Sequence, residues 1–254
     1  MSSFFNSDNK FFSTLGKLFD LMVLSVMWFI LSAGGLMLTT VLIGKDMVKA
    51  GTVGSVLLIV LAVALTLLAG PASTAFYYTV VKVIRRERSY MFKEFVRSFK
   101  LNFRQGILLA LIYIIFSALM IFDVDYSRQL SEQGSKYGSI LFGVFVVVGI
   151  FVMFTMIYAF PLLSRFTVTI KHLFKWSFYI SIRHLGWTLV MVLMFACTVI
   201  IMYFSFFAAP PLLLLLPGIY TLSVSFPMEK VLKKYMPKEE ETDEADGVDR
   251  WYNE

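Results

Sequence analysis

Along this chain, uncharged apolar runs alternate with short polar stretches, most of them basic, and the run lengths set the first expectation. An α-helix needs about 20 residues to cross a hydrocarbon layer of roughly 30 Å. Runs at about 21–43, 53–81, 106–122 and 137–164 each read as one span. The stretch 187–227 is uncharged throughout and about twice the length that one span needs. Ala208-Ala209-Pro210-Pro211 breaks it, because the residue before a proline avoids helix and a proline suits a helix start. The pattern therefore predicts an all-α polytopic membrane protein with six transmembrane helices in one domain, 21–236. Spans 5 and 6 fall at about 187–209 and 211–228.

Between the spans a second periodicity appears. In the connector 82–104, Phe92, Phe95, Val96, Phe99 and Phe103 recur at helical spacing, while Lys93, Arg97, Lys100 and Arg104 fall largely on other faces. That is an amphipathic helix with a phenylalanine stripe. Residues 165–186 form a second basic, aromatic connector, and residues 1–20 are amphipathic and suit the headgroup layer. Pro71 and Pro161 each stand near the end of a span and predict kinks there. Proline, basic aromatic connector and new span thus occur twice in the same order. Two readings fit: a weak parallel internal repeat, or coincidence in a basic apolar chain.

Composition sharpens the picture. The 254 residues are 58% hydrophobic and 16% charged, with a mean hydropathy of +0.76. The net charge of +6 conceals a division, because the acidic tail at 237–254 offsets a strongly basic remainder. That tail reads as disordered and cytoplasmic. Of the 23 lysines and arginines, all but Lys45, Lys49, Arg128 and Lys136 lie on one side of a six-span model. Cations collect on the cytoplasmic side of membrane proteins, so both termini are expected inside. Five spans would put the basic carboxyl end outside. The first run is longer than a signal-peptide core and reads as an uncleaved helix. Basic residues that flank spans are orientation signals, so nucleic acid is not an expected partner. The single cysteine, Cys197, excludes an intramolecular disulfide.

Candidate chemistry is sparse. None of the six spans, as bounded above, contains Asp, Glu, Lys, Arg or His, which argues against a charge-lined pathway. Ser73, Thr74, Tyr77, Tyr78 and Thr79 offer hydroxyls near the inner end of span 2. The blander account of them is interfacial anchoring and bonding to helix carbonyls. His172 and His184 lack the companions a metal site needs, and Asp123-Val-Asp125 reads as solvated. No catalytic signature is present, so no enzyme, cofactor or metal is expected. The candidate partner or lipid contacts are Phe92, Phe95, Phe99 and Phe103 with Arg85, Arg86 and Arg88. The lipid bilayer is the first expected partner.

Gly70-Pro71-Ala72-Ser73-Thr74-Ala75-Phe76-Tyr77-Tyr78, then Phe92-x-x-Phe95-x-x-x-Phe99-Lys100-x-Asn102-Phe103, resembles the YesL family of bacterial membrane proteins. The resemblance is most specific over 70–106. It implies a plasma-membrane protein linked to carbohydrate uptake, and it supplies no catalytic or ligand residues. The expected function is a non-enzymatic accessory or scaffold protein, with a sugar-importer permease or a membrane sensor as partner. The alternative is a permease for a neutral solute such as a sugar. Against it, the chain lacks the E-A-A…G loop signature of bacterial importer permeases.

Overall fold

A computed structural model describes residues 10–44, 53–85 and 90–236, with side chains over 15–32, 56–84, 90–209 and 211–236. Among the described residues every regular element is helical and there is no strand. The order is α1 (Lys10–Gly44), α2 (Val53–Leu67), α3 (Ala69–Thr79) running into a wide π turn (Val80–Arg85), α4 (Met91–Leu101) and α5 (Phe103–Glu132). Then come α6 (Lys136–Arg165), α7 (Ile170–Arg183), α8 (Leu185–Ala208), a 3-10 turn (Pro210–Leu214) and α9 (Leu216–Leu232). Five stretches are long and apolar enough to cross a membrane: Leu15–Ser32, Val56–Ile84, Phe103–Glu132, Lys136–Arg165 and Leu185–Ala208. α9 has 17 residues. The chain is a multi-pass, all-helical membrane protein.

Several boundaries differ from the sequence expectation, each for a local reason. Span 2 is interrupted at Leu68, one turn before Pro71. Pro71 has no N–H to give the Leu67 carbonyl, Leu68 donates to the Leu65 carbonyl at 3.2 Å in a tightened turn, and the regular ladder resumes with Ala72 donating to the Leu68 carbonyl at 3.0 Å. α6, by contrast, runs on through Pro161 to Arg165. The polar stretch after span 3 is helical as far as Glu132. There Arg128 pairs with Glu132 at 3.0 Å and Gln129 donates to Asp125 at 2.9 Å, both one turn apart. Gly134 (φ +84°) then closes α5 in a Schellman motif: its N–H donates to the Ser131 carbonyl and that of Ser135 to the Leu130 carbonyl.

α3 is the central helix, in contact with α1, α4, α5 and α6. Its crossing with α5 brings backbones together. A Cβ on Gly70 would lie 2.1 Å from the Gly106 carbonyl oxygen, and one on Gly106 would lie 2.7 Å from the Pro71 nitrogen. Only small residues permit such an approach between membrane helices. The core sits toward one end of the bundle. One cluster joins Tyr77, Leu109, Tyr158, Leu162, Leu173, Ile180, Met191 and Met228. A second joins Leu21, Leu24, Phe76, Val80, Ile84 and Phe95. α8 and the far halves of α5 and α6 instead expose Ile, Val, Leu and Phe, as lipid-facing helices do.

Candidate functional site

The end that holds the core is also the basic end. α4 and α7 lie there, each joined to the next long helix by one residue, Asn102 and His184. α4 buries Glu94, Phe95 and Ser98, and α7 buries Leu173, Ser177, Ile180 and Ser181. The 3–4 spacing of each set gives one inward stripe per helix.

Two ion pairs are buried at this end. Lys82, in the π turn, reaches Glu94 of α4 at 3.1 Å, with side chains 10% and 5% exposed. Arg165, the last residue of α6, reaches Glu229 of α9 at 2.7 Å, with side chains 6% and 2% exposed. Tyr77 of α3 donates to the same carboxylate at 2.9 Å, and the Arg165 Nε donates to it at 3.2 Å. At an effective dielectric near 20, a pair at about 4 Å gains about 4 kcal/mol. Removing each ion from water costs several kcal/mol, so the net contribution to stability is small. What such pairs specify is register. Glu229 joins α9 to α3 and α6, and Glu94 joins α4 to the segment that follows α3.

These contacts correct the sequence reading of the spans. α9 runs on to Leu232 and carries Glu229 into the packed bundle, beyond the 228 boundary expected for span 6. Lys82 likewise sits on the stretch that continues span 2. The missed signal was the spacing of the acids. Glu229 is the lone acid between Glu132 and Glu239, in a region rich in cations.

The other expected residues divide. Phe95 is 2% exposed and packs in the second core cluster, so it holds α4 to the bundle and is not presented to a partner or to lipid. Phe99 is partly buried between the rings of Phe95 (6.4 Å) and Phe103 (5.6 Å). Phe92 and Phe103 are exposed. The Arg85 side chain, Arg86 and Arg88 lie outside the described residues, as do the acidic tail and residues 1–9. Thr74 and Thr79 bond to the carbonyls of Gly70 and Ala75, as the blander reading expects. Ser73 instead accepts from the Trp28 indole at 3.0 Å. His184 meets the Tyr235 hydroxyl at 3.0 Å, and burial, then Lys234 and Arg183, lower its pKa. Asp125 belongs to the α5 helix at the far end.

Beneath the Arg165–Glu229 pair the bundle holds a cavity of about 330 Å³ between α1, α3, α6, α8 and α9. Its lining is mostly Phe, Met, Ile and Val, with polar groups from Trp28, Ser73, Tyr77, Thr198, Tyr220 and Thr221. An apolar chamber with a few hydroxyls can hold a small neutral molecule.

Residues 21–124 match the family described as "Protein of unknown function, DUF624". The matched stretch contains the Gly70–Gly106 crossing and the Lys82–Glu94 pair. Over that stretch the chain is similar to the YesL/DUF624 family. "Uncharacterized protein YesL" of Bacillus subtilis (strain 168) is 29% identical over 101 residues, which cover 40% of this chain and 46% of that relative. The chain thus spans under half the length of the curated relative it matches. No solved structure matches it significantly. Within the YesL/DUF624 match lie α3, α4 and most of α5, whereas Arg165 and Glu229 fall beyond it.

Proposed function

We propose that the chain is a plasma-membrane protein with six crossings and both termini in the cytoplasm, acting as a non-enzymatic accessory protein linked to carbohydrate uptake. The observation that carries this reading is the matched pairing of Lys82 with Glu94 and of Arg165 with Glu229. Charges locked to one another hold elements in place, which suits a rigid platform better than a route along which an ion moves. The sixth crossing is the 3-10 turn with α9, which together span about 35 Å. The excess of lysine and arginine at the α4 and α7 end supports its cytoplasmic position. The stretches Val56–Ile84 and Lys136–Arg165 are each followed by a short amphipathic helix, α4 or α7, then a one-residue elbow and a further long helix, and this shared order supports a parallel repeat. The link to carbohydrate uptake rests on the family resemblance. Crosslinking in native membranes, followed by mass spectrometry, tests the proposal. Recovery of a sugar-importer permease or a membrane sensor joined through 82–104 or 165–186 supports it, and recovery of this chain alone refutes it.

The 330 Å³ cavity favours a second reading, a permease for a neutral solute. Saturable uptake of a neutral sugar by proteoliposomes containing only this chain would establish that reading over the first.

A further inference from the structure

On the basic end, the elbow between α4 and α5 faces the link between α6 and α7 across a cavity of about 820 Å³. Arg97, Lys100 and Arg104 line one wall, and Ser164 to Thr169 form the other, with Arg165 among them. Gln105 donates to the Val168 carbonyl at 3.2 Å and ties the walls together. Arg165 is compensated by Glu229 at 2.7 Å. Arg97, Lys100 and Arg104 pair with no carboxylate among the described residues, and no acid lines the cavity. Tyr78, Ser98, Asn102, Thr167 and Thr169 add hydroxyl and amide groups, and Leu101, Phe103, Leu163, Phe166 and Val168 supply apolar lining. α5 begins at Phe103 and α7 at Ile170, both at this cavity, and neither start is capped by a side chain. Each adds the partial positive charge of a helix amino terminus.

We propose that this cavity binds a phosphate ester. Planar guanidinium groups match phosphate oxygens in pairs, hydroxyls and amides donate to the oxygens that remain, and an anionic phosphoryl group offsets the crowded cations. The site stands where α5 begins and α6 ends, at the basic margin of the apolar spans. Leu101, on its rim, is 69% exposed. The same phosphoryl chemistry is available from an anionic lipid headgroup and from a soluble phosphorylated compound.

The test uses the full chain in lipid nanodiscs. Mixed phosphatidylglycerol and phosphatidylcholine discs, read by native mass spectrometry, report retained anionic lipid. Titration of inorganic phosphate into phosphatidylcholine discs, read by calorimetry, reports the soluble source. Arg97→Gln with Arg104→Gln should weaken whichever binding is present at least about tenfold, while Lys171→Gln with Lys175→Gln, on exposed positions of α7, should leave it within about twofold. If the glutamine pair misfolds, Arg97→Lys with Arg104→Lys keeps the charge, loses the planar forks, and should still weaken binding. Selective retention of phosphatidylglycerol assigns the site to a headgroup, and saturable phosphate binding without it assigns a soluble ligand; either supports the proposal. No selective binding of either probe, equal loss in the two glutamine variants, or binding that emerges only after residues 238–254 are deleted would overturn it.

Discussion

Glu229→Gln tests the central joint of the bundle. Glutamine keeps the volume and can still accept from Tyr77, but it removes the charge facing Arg165 at 2.7 Å. Arg165, 6% exposed, is then left as a cation with that carboxylate gone. Breaking one partner of a buried pair costs about 3–5 kcal/mol. At about 2–4 °C per kcal/mol for a chain of this size, the melting temperature should fall by about 6–20 °C. Arg165→Met with Glu229→Leu removes both charges and with them the desolvation penalty. Replacing a buried pair by apolar residues of similar volume is often neutral or stabilising. Loss of the Tyr77 hydrogen bond to Glu229 then costs about 1 kcal/mol, so the double variant should melt within a few degrees of the parent. Tryptophan-fluorescence melting of the parent, Glu229→Gln, the singles Arg165→Met and Glu229→Leu, and their double variant in one detergent measures the coupling directly. A Glu229→Gln chain that melts within about 2 °C of the parent would refute the reasoning, since that is less than 1 kcal/mol. So would single-variant losses that simply add in the double variant.

Three further outcomes are expected. Gly106→Leu should abolish the α3–α5 crossing and destabilise by at least the roughly 1–3 kcal/mol of ordinary overpacking, because the new side chain meets Pro71 backbone; yield and monodispersity on size-exclusion chromatography would show it. Phe95→Ala should cost about 3–5 kcal/mol and Phe92→Ala less than about 0.5 kcal/mol, since one ring is buried and the other exposed; equal melting temperatures would contradict the assigned α4 face. The folded state lowers the His184 pKa below the ordinary value of about 6.5, so it binds fewer protons than the unfolded chain. His184 should therefore subtract stability as pH falls through that value, and His184→Gln should flatten the melting profile between about pH 7.5 and 5.5.

Much of the bundle was legible from local pattern. Apolar runs near span length and the break at Pro210-Pro211 define most of the long helices, because a backbone in hydrocarbon has to satisfy its own hydrogen bonds. The phenylalanine spacing of α4 was also readable, since a 3.6-residue period acts within a few turns. Which phenylalanines face inward was not. Phe92 and Phe95 stand three residues apart on one stripe, yet the seat of α4 against Ile84, Val80 and Leu24 decides that only Phe95 is enclosed.

The chain by itself determined that it is helical, membrane-embedded and asymmetric in charge, for those properties follow from composition and short-range period. Only the tertiary structure decided which charges are spent within the fold. Arg165 and Glu229 are 64 residues apart along the chain and meet because the end of α9 packs beside the end of α6. Arg97, Lys100 and Arg104 carry the same kind of charge, but the elbow between α4 and α5 turns them toward an open cavity with no acid in its lining. A sequence counts these cations as equals. Partnering depends on distance and burial, and neither is a property of sequence separation.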